Sequence, residues 1–396
     1  MAVQPIIHKS IDWFRSRILQ RPAQHTALLG SPEAPMRLLV VANALIPTVQ
    51  LSLVYPLEAS INIGQCAIDF LTEHDMKQKF GKKLRSVEVA AWVKSQIITK
   101  KPTHIVFCRY SGPHYEEILA VAESQCIPTI YFIDDDLLNV PLELGQQKYD
   151  YHNHPLRLSA IRHLLSNVDL VHCSNERLKS HLQALGIGGN LQTGKIFCAG
   201  KVISPAEERQ AALIGYMGFD HAHDFEVALP ALIKILRKYP ELQFEIFGKI
   251  PKPAILNEFG KRIVVLPVVS NYDEFLKVFA SRKWDVGICP LAPTEFNKVK
   301  NINKWIEYTA VGAAVIASAG TIYDTCCSDD CGLLASTQDE WLTSIETLIT
   351  ESNLRFQLVS NAQKRLEQEY SVNKLRDQVL NIFQQARENL KHDMTS

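Results

Sequence analysis

The stretch from Cys289 to Ser318 brings together residue types that can hold an anion and a sugar hydroxyl at once. It leaves an apolar run, crosses the polar loop PLAPTEFNKVKN, enters a helical pattern, and passes Gly312 into another apolar run. A helix that starts in such a loop presents backbone N–H groups with no intrahelical partner, an ordinary way for a fold to hold a phosphate. Lys300 and Lys304 would add positive charge to that end. Glu307 follows Lys304 by one helical turn and shares its face. A carboxylate there can accept from two adjacent sugar hydroxyls, as acids do on ribose in dinucleotide-binding sheets. The competing reading is a solvated Lys–Glu pair ahead of a helix terminator, a common and weakly stabilising feature. The placement of both charges directly after a buried run favours the first reading.

Other segments carry weaker signals. In IGYMGFDHAHDFE, Gly215 and Gly218 permit a strand-to-helix turn where a phosphate can sit, with Gly218 and His221 as candidate contacts and Asp224 as a helix cap. The spacing is not G-x-G-x-x-G, and no G-x-x-x-x-G-K-[ST] occurs, so neither a nicotinamide or flavin fingerprint nor a P-loop is present. Asp134, Asp135 and Asp136 end the run TIYFI, and three adjacent carboxylates repel unless something positive is near. They are read as a divalent-ion site, as acceptor contact or interdomain ion pairing, or as a capped turn. Arg109, Gly112 and His114, in CRYSGPHYEE, follow the preceding apolar run and would line the same edge, with His114 a candidate for acceptor chemistry. His152 and His154 have no third ligand nearby and read as loop.

The chain has nine cysteines. Cys326, Cys327 and Cys331 lack the Cys-x-x-Cys pair or spaced histidines of a zinc site. Cys66, Cys108, Cys126, Cys173, Cys198 and Cys289 read as small buried hydrophobes in a reduced compartment.

These residues need a scaffold, and the apolar pattern supplies one. MRLLVVANA, THIVFCR, TIYFIDD, VDLVHCS and KIFCAG read as buried parallel strands, with helical candidates such as HYEEILAVAESQ and NERLKSHLQAL between them. After the charged SPAEERQ a second series follows: AALIGYMGF, LQFEIFG, RIVVLPVV, DVGICPL and AAVIAS. FEVALPALIKILRKY, YDEFLKVFAS and NKWIEYTAVG fit helices. The expected organisation is a helical leader over 1–34, a Rossmann-like domain over 35–205 and a second Rossmann-like domain over 206–370. A C-terminal helix and tail over 371–396 would pack across the domains. The fold class is α/β, with a cleft between two doubly wound domains.

Composition agrees with two globular domains: 396 residues, 46% hydrophobic and 21% charged. The 42 basic and 42 acidic residues cancel, which gives no support for a nucleic-acid binder. No apolar stretch is long enough to span a bilayer. MAVQPIIHKS lacks secretory-signal features. A cytoplasmic protein is expected, with membrane contact at most peripheral, through the terminal amphipathic helices.

With the elements placed, KWIEYTAVGAAVI (Lys304 to Ile316) is similar to the nucleotide-sugar-binding element of the GT-B glycosyltransferases, in particular the large retaining group 1 family. Members often carry K-x-x-E-Y-x-A-x-G-x-x-V-I, matched here by Lys304, Glu307, Tyr308, Ala310, Gly312, Val315 and Ile316. The match is specific over 300–316, looser over 211–370 and architectural in the first domain. The resemblance implies two Rossmann-like domains facing a cleft, with a UDP- or GDP-linked donor held mainly by the second. Glu307 would bind the ribose hydroxyls, and Lys304 with the amides of 301–304 would lie near the diphosphate. Gly218, Lys249, Phe296, Asn297, Lys300 and Asn301 would complete the donor site. Lys304, Glu307, His114 and His221 are the catalytic candidates. No cofactor or catalytic metal is expected.

Two departures stand out. The family's usual glutamate pair, separated by seven residues, would need an acid at 299, where this chain has Val299; Glu295 is the nearest upstream acid. Members often have Arg and Lys after the first strand of the second domain, whereas 214–226 contains neither, leaving His221, His223, Lys249 or Lys300 near the leaving diphosphate. A missing cation weakens leaving-group stabilisation. The implied reaction is retaining transfer of a sugar from a nucleotide diphosphate sugar to a hydroxyl of a glycan or lipid-linked glycan, as in polysaccharide biosynthesis. No enzymic nucleophile is evident, so the leaving phosphate would help deprotonate the acceptor on the same face. The rivals are a catalytically weak or inactive nucleotide-sugar- or glycan-binding protein, and another nucleotide-sugar enzyme such as an epimerase, which would turn over donor without acceptor.

Overall fold

The computed structural model describes residues 35–195, 198, 200–219 and 222–395, so the expected leader helix lies outside the described residues. The described residues form two compact units. One runs to Val140, resumes over Asp150–Ala199 and takes up the chain again from Val372; the other holds Pro141–Tyr149 and Gly200–Ser371.

The first unit is built on a sheet of parallel strands: β1 (Met36–Ala42), β2 (Cys66–Thr72), β3 (His104–Cys108), β4 (Thr129–Ile133), β5 (Leu170–Cys173) and β6 (Leu191–Thr193). Their order is β2-β1-β3-β4-β5-β6. β1, β3, β4 and β5 are buried almost throughout, which is why they read as unbroken apolar runs. β2 is an edge strand of mixed burial with Asp69 at its middle, paired to Lys100 at 2.6 Å, and the apolar pattern passes over it. The last strand is Leu191–Thr193, and residues 196, 197 and 199 of the expected run KIFCAG lie outside the described residues.

The C-terminal helical stretch is two helices, Ser352–Glu369 and Val372–Thr395, broken at Tyr370 and Ser371. The second packs on the first unit. Leu375, Val379, Ile382, Phe383 and Ala386 are buried, Phe383 lies 5.3 Å from the His104 ring, and Asn389 Nδ2 donates to the Asp169 carbonyl at 2.8 Å.

The second unit repeats the plan with β7 (Leu213–Gly218), β8 (Gln243–Gly248), β9 (Ile263–Leu266), β10 (Val286–Cys289), β11 (Ala314–Ser318) and β12 (Leu333–Ala335), in the order β12-β11-β10-β7-β8-β9. Helix Ala222–Lys238 buries Phe225, Leu232 and Leu236 in a cluster with Trp341, Ile345 and Leu348 of helix Gln338–Thr350. Thr337 and Glu340 start the latter helix with a capping box, the reciprocal pair their spacing encodes. Two glycines set how closely layers approach. A Cβ on Gly215 would lie 2.1 Å from the Trp284 ring, and one on Gly287 would lie 2.3 Å from the Tyr308 ring. Gly215 therefore admits a tryptophan inside β7 and is not part of the turn that follows it.

Candidate functional site

Strand order in the second unit reverses between β7 and β10, and open parallel sheets collect ligands beyond the carboxyl ends of strands at such a reversal. The segments leaving those two strands are cross-linked. Asp224, fully buried in the first turn of helix Ala222–Lys238, accepts through Oδ1 from the Ala292 N–H at 2.8 Å and from Asn297 Nδ2 at 2.7 Å. Its carboxylate thus ties the helix after β7 to the segment after β10, a different task from the helix cap read from sequence. Asn297 Nδ2 also donates to the Ala292 carbonyl at 3.0 Å, and its buried Oδ1 has no hydrogen-bond partner. Thr294 Oγ1 accepts from the Asn297 N–H at 3.2 Å and opens the short helix Glu295–Lys298. Phe296 is buried, with Lys300 Nζ 4.5 Å from the centre of its ring.

The next helix, Asn303–Ala310, is fixed along its length. Trp305 Nε1 donates to the Cys331 carbonyl at 3.0 Å. The Tyr308 hydroxyl accepts from the Met217 N–H at 2.9 Å and donates to the Ile288 carbonyl at 3.3 Å, so one side chain spans β7 and β10. Gln363 Nε2 donates to the carbonyls of Thr309 and Ser204, at 3.0 and 2.8 Å. Gly312, at φ +81°, ends the turn against the Ser204 and Pro205 carbonyls. At the other end Ile302 supplies no side-chain cap, and its carbonyl takes the Ile306 N–H. The N–H groups of Lys304 and Trp305 are left at an open helix start.

Glu307, 8% exposed, accepts a 3.0 Å hydrogen bond on Oε1 from the Tyr272 hydroxyl. Burial pushes its carboxyl up to about 7, while the Tyr272 bond and the Lys304 charge pull the other way. Lys304 is half-buried, its Nζ 5.6 Å from the centre of the Tyr216 ring. Burial lowers the pKa of its ammonium, and the charges of Asp224 and Glu307 oppose that. One helix therefore offers an open N-terminus, an ammonium and a carboxyl that titrates near neutrality. That set can bind an anion beside a pair of hydroxyls.

Of the remaining donor-site candidates, Gly218 ends β7. Its carbonyl accepts from the Lys249 N–H at 2.9 Å, and the Lys249 side chain is exposed. Asn301 Oδ1 accepts from the Asn303 N–H at 3.4 Å, which shapes the approach to the helix. His221 lies outside the described residues. Val299 is buried, and Glu295 is exposed and paired with Lys298, so neither places a second carboxylate in the site. Sequence reasoning did not find Tyr272. Its only local signal is Asn271, whose side chain accepts from the Glu274 N–H at 2.9 Å and sets the start of helix Tyr272–Arg282.

In the first unit the order reverses between β1 and β3. Asn43, just after β1, donates to the Arg109 carbonyl at 3.2 Å and accepts from the Ser111 N–H at 3.1 Å. Arg109, at φ +51°, places Nη1 2.9 Å from Asp134 Oδ1 and 3.4 Å from Asp135 Oδ2. Burial pushes the Asp134 carboxyl up to about 6 even with this guanidinium beside it. Asp136 accepts from the Leu138 N–H, from Asn139 Nδ2 and, at 2.8 Å, from His181 Nε2. The acidic run is thus held by an arginine, a histidine and a turn, all within one unit.

His114 does not present a free imidazole. It is buried at φ +65° ahead of helix Tyr115–Ser124, with Nε2 2.6 Å from the Leu84 carbonyl and Nδ1 3.3 Å from Glu117 Oε1. The ring is thus packed against the backbone and helix of its own unit, with Nε2 donating to the Leu84 carbonyl. Gly112 is needed for packing, since a Cβ there would lie 2.7 Å from the Tyr110 ring. Sequence reasoning also passed over Arg157, which grips buried Glu73 at 2.9 and 3.0 Å and Ser111 Oγ at 3.1 Å. These partners lie 84 and 46 positions away, beyond any local pattern.

Cys126 is exposed, contrary to its reading as buried; the other cysteines are buried. His154 Nδ1 accepts from the Leu156 N–H at 3.3 Å at a helix start. Among the described residues no group of three or more His, Cys, Asp or Glu is placed to hold a metal ion, and no helix is long and apolar enough to cross a membrane.

Residues 230–381 match the family model described as glycosyl transferase-like. No curated protein matches the chain. Among solved structures, sucrose-phosphate synthase from Thermosynechococcus elongatus is similar with 13% identity and a TM-score of 0.59, over 88% of this chain and 98% of that one. Anabaena Alr3699/HepE, solved in complex with UDP, shares 13% identity with a TM-score of 0.59 over 87% of this chain and 99% of the other. Trehalose-6-phosphate synthase OtsA gives 13% identity and a TM-score of 0.58, over 88% and 99%. At that identity the structural likeness concerns the fold, and the matched segment contains the helix bearing Lys304 and Glu307. The chain thus has the two-sheet fold of these structures, and its second unit carries a glycosyl transferase-like segment.

Proposed function

We propose that the protein transfers a sugar, with retention of configuration, from a nucleotide diphosphate sugar to a hydroxyl of a glycan or lipid-linked glycan. The supporting observation is Glu307, buried, held by Tyr272 and set one turn from Lys304 at an open helix start. Glu307 accepts from the ribose hydroxyls, while the first-turn N–H groups and Lys304 face the diphosphate. Lys300 adds a second cation. The Asp224–Asn297–Ala292 cross-link holds the loop that leads into that helix, and such preorganisation is where much of a transfer enzyme's electrostatic effect resides. Departure of the nucleoside diphosphate leaves an anion that takes the acceptor proton on the same face.

A second reading has its own observation. With Val299 buried and no Arg or Lys over 214–226, a protein that binds nucleotide sugar while transferring it slowly fits the same site. Calorimetric titration with UDP, GDP and their sugars, on wild type and Glu307→Ala, tests the shared donor site. Binding that is lost in the variant supports it, and no binding of any nucleotide by wild type rejects both readings. Transfer assays with acceptor then separate them.

A further inference from the structure

The first unit carries a surface that donor chemistry does not account for. Between Lys77 and Lys101 the sequence holds eight basic residues and a single acid, Glu88. Lys77 pairs with Glu73 at 2.8 Å and Lys100 with Asp69 at 2.6 Å. The other six, Lys79, Lys82, Lys83, Arg85, Lys94 and Lys101, have no carboxylate partner among the described residues, and Lys79, Lys82, Lys83, Arg85 and Lys94 are exposed.

The helix at the centre of this segment, Val87–Lys100, turns Val89, Val93 and Ile97 inward. Its outward stripe, at spacings of four and three, is Val87, Ala91, Lys94, Ile98 and Lys101. Val87 is 86% exposed and Ile98 54%. A solvated helix face is ordinarily filled by mixed charges, and two β-branched apolar residues alternating with lysines are not that. Trp92, half-buried beside the stripe, lies edge-on to Phe80 at 5.5 Å, with Lys79 Nζ 4.9 Å from its ring centre. Amphipathic aromatic and basic groups around exposed aliphatic ones are the composition of a surface that rests in a lipid headgroup layer. The short connection Lys82–Arg85 is pinned, because the Leu84 carbonyl meets His114 Nε2 at 2.6 Å, so its charges are presented from a fixed backbone.

We propose that this face, the 82–85 connection with the outer stripe of helix Val87–Lys100, docks on a bilayer bearing anionic lipid headgroups. Charge complementarity selects the partner. A second copy of the same face would repel, and a nucleic acid would answer the lysines without using Val87 and Ile98. The inference stands apart from the reading of the donor site, since it uses none of those residues.

The test is flotation of the full-length protein with vesicles of phosphatidylcholine alone and of phosphatidylcholine with phosphatidylglycerol. Wild type is expected to float only with the anionic vesicles and to be released by high salt. Each basic residue near an anionic surface changes partition by about fivefold, so K82S/K83S/R85S should lower it about a hundredfold. Val87→Ser with Ile98→Ser should lower it about tenfold with the charge unchanged. Circular dichroism and the thermal melt of each variant report whether the fold is intact. Wild type that fails to float with anionic vesicles overturns the proposal. So does a K82S/K83S/R85S variant that floats as wild type does, or retention by duplex DNA without vesicle binding.

Discussion

Replacing Glu307 by Gln tests the donor site through a quantity that packing alone would not change. The carboxyl is held at about 7 against an ordinary 4.5, chiefly by burial. Between those two values the folded protein keeps a proton that the unfolded chain has released. Stability without nucleotide therefore falls as pH rises from about 4.5 through about 7, and the loss is complete above that. At about 1.4 kcal/mol per pH unit the gap amounts to about 3 kcal/mol. Glu307→Gln removes the buried charge and keeps the shape. It should match wild type near pH 4.5 and melt several degrees higher at pH 8.

Binding has the opposite sign. Ribose hydroxyls donate to the ionised carboxylate, so nucleotide draws the proton off and wild-type affinity rises with pH until the group is fully ionised. The terminal phosphate of UDP itself titrates near 6, and both proteins experience that equally. The quantity to follow is the ratio of wild-type to variant affinity, by calorimetry from pH 6 to pH 8. It should grow about tenfold over that interval and then level off. A constant ratio, or a variant that binds as wild type at pH 8, would show that Glu307 does not receive the ribose.

Asp224→Ala removes the acceptor of the Ala292 N–H and of Asn297 Nδ2. It should cost about 1–3 kcal/mol in urea denaturation and weaken nucleotide binding by calorimetry, because the loop leading to the helix loses its tie. Gly287→Ala puts a Cβ 2.3 Å from the Tyr308 ring inside β10 and should cost about 1–3 kcal/mol, read as a lowered melting temperature. Arg157→Ala leaves Glu73, 4% exposed, with Lys77 as its remaining cation, and should cost about 3 kcal/mol; Arg157→Met with Glu73→Leu should recover most of that in the same denaturation assay.

Strands that are buried on both faces announce themselves. β3, β4, β10 and β11 are apolar because helices cover them, and their runs are legible with no partner in view. β2 is less so, because an edge strand with a charged centre satisfies no simple period. The pattern from Lys304 to Ile316 was readable for a similar reason, since each position does something local: Tyr308 joins two strands, Trp305 holds a turn and Gly312 ends the helix. The partners of these groups were not readable. Tyr272 reaches Glu307 from 35 positions away and Asp224 reaches Asn297 from 73, so their pairing exists only once the sheet order has been set. His114 shows the converse. A histidine at a strand-end loop has the address of a reactive group, and only the structure shows its ring buried with Nε2 on the Leu84 carbonyl.

Valine at position 299, where the resembled family usually has an acid, changes what the rest of the site has to supply. A second carboxylate there would add negative charge near a diphosphate and would itself need desolvation, whereas buried Val299 contributes packing. On the proposed reading, the cations facing the diphosphate come from the helix start and its approach, Lys304 and Lys300, rather than from the turn after β7. Burial lowers the pKa of Lys304, and every like charge brought near it lowers it further. An incoming diphosphate does the reverse and favours the ammonium as it binds. With Asp224 and Asn297 holding the loop beforehand, the site trades a dense set of fixed cations for a few partly buried ones, which interact more strongly per charge because water is excluded.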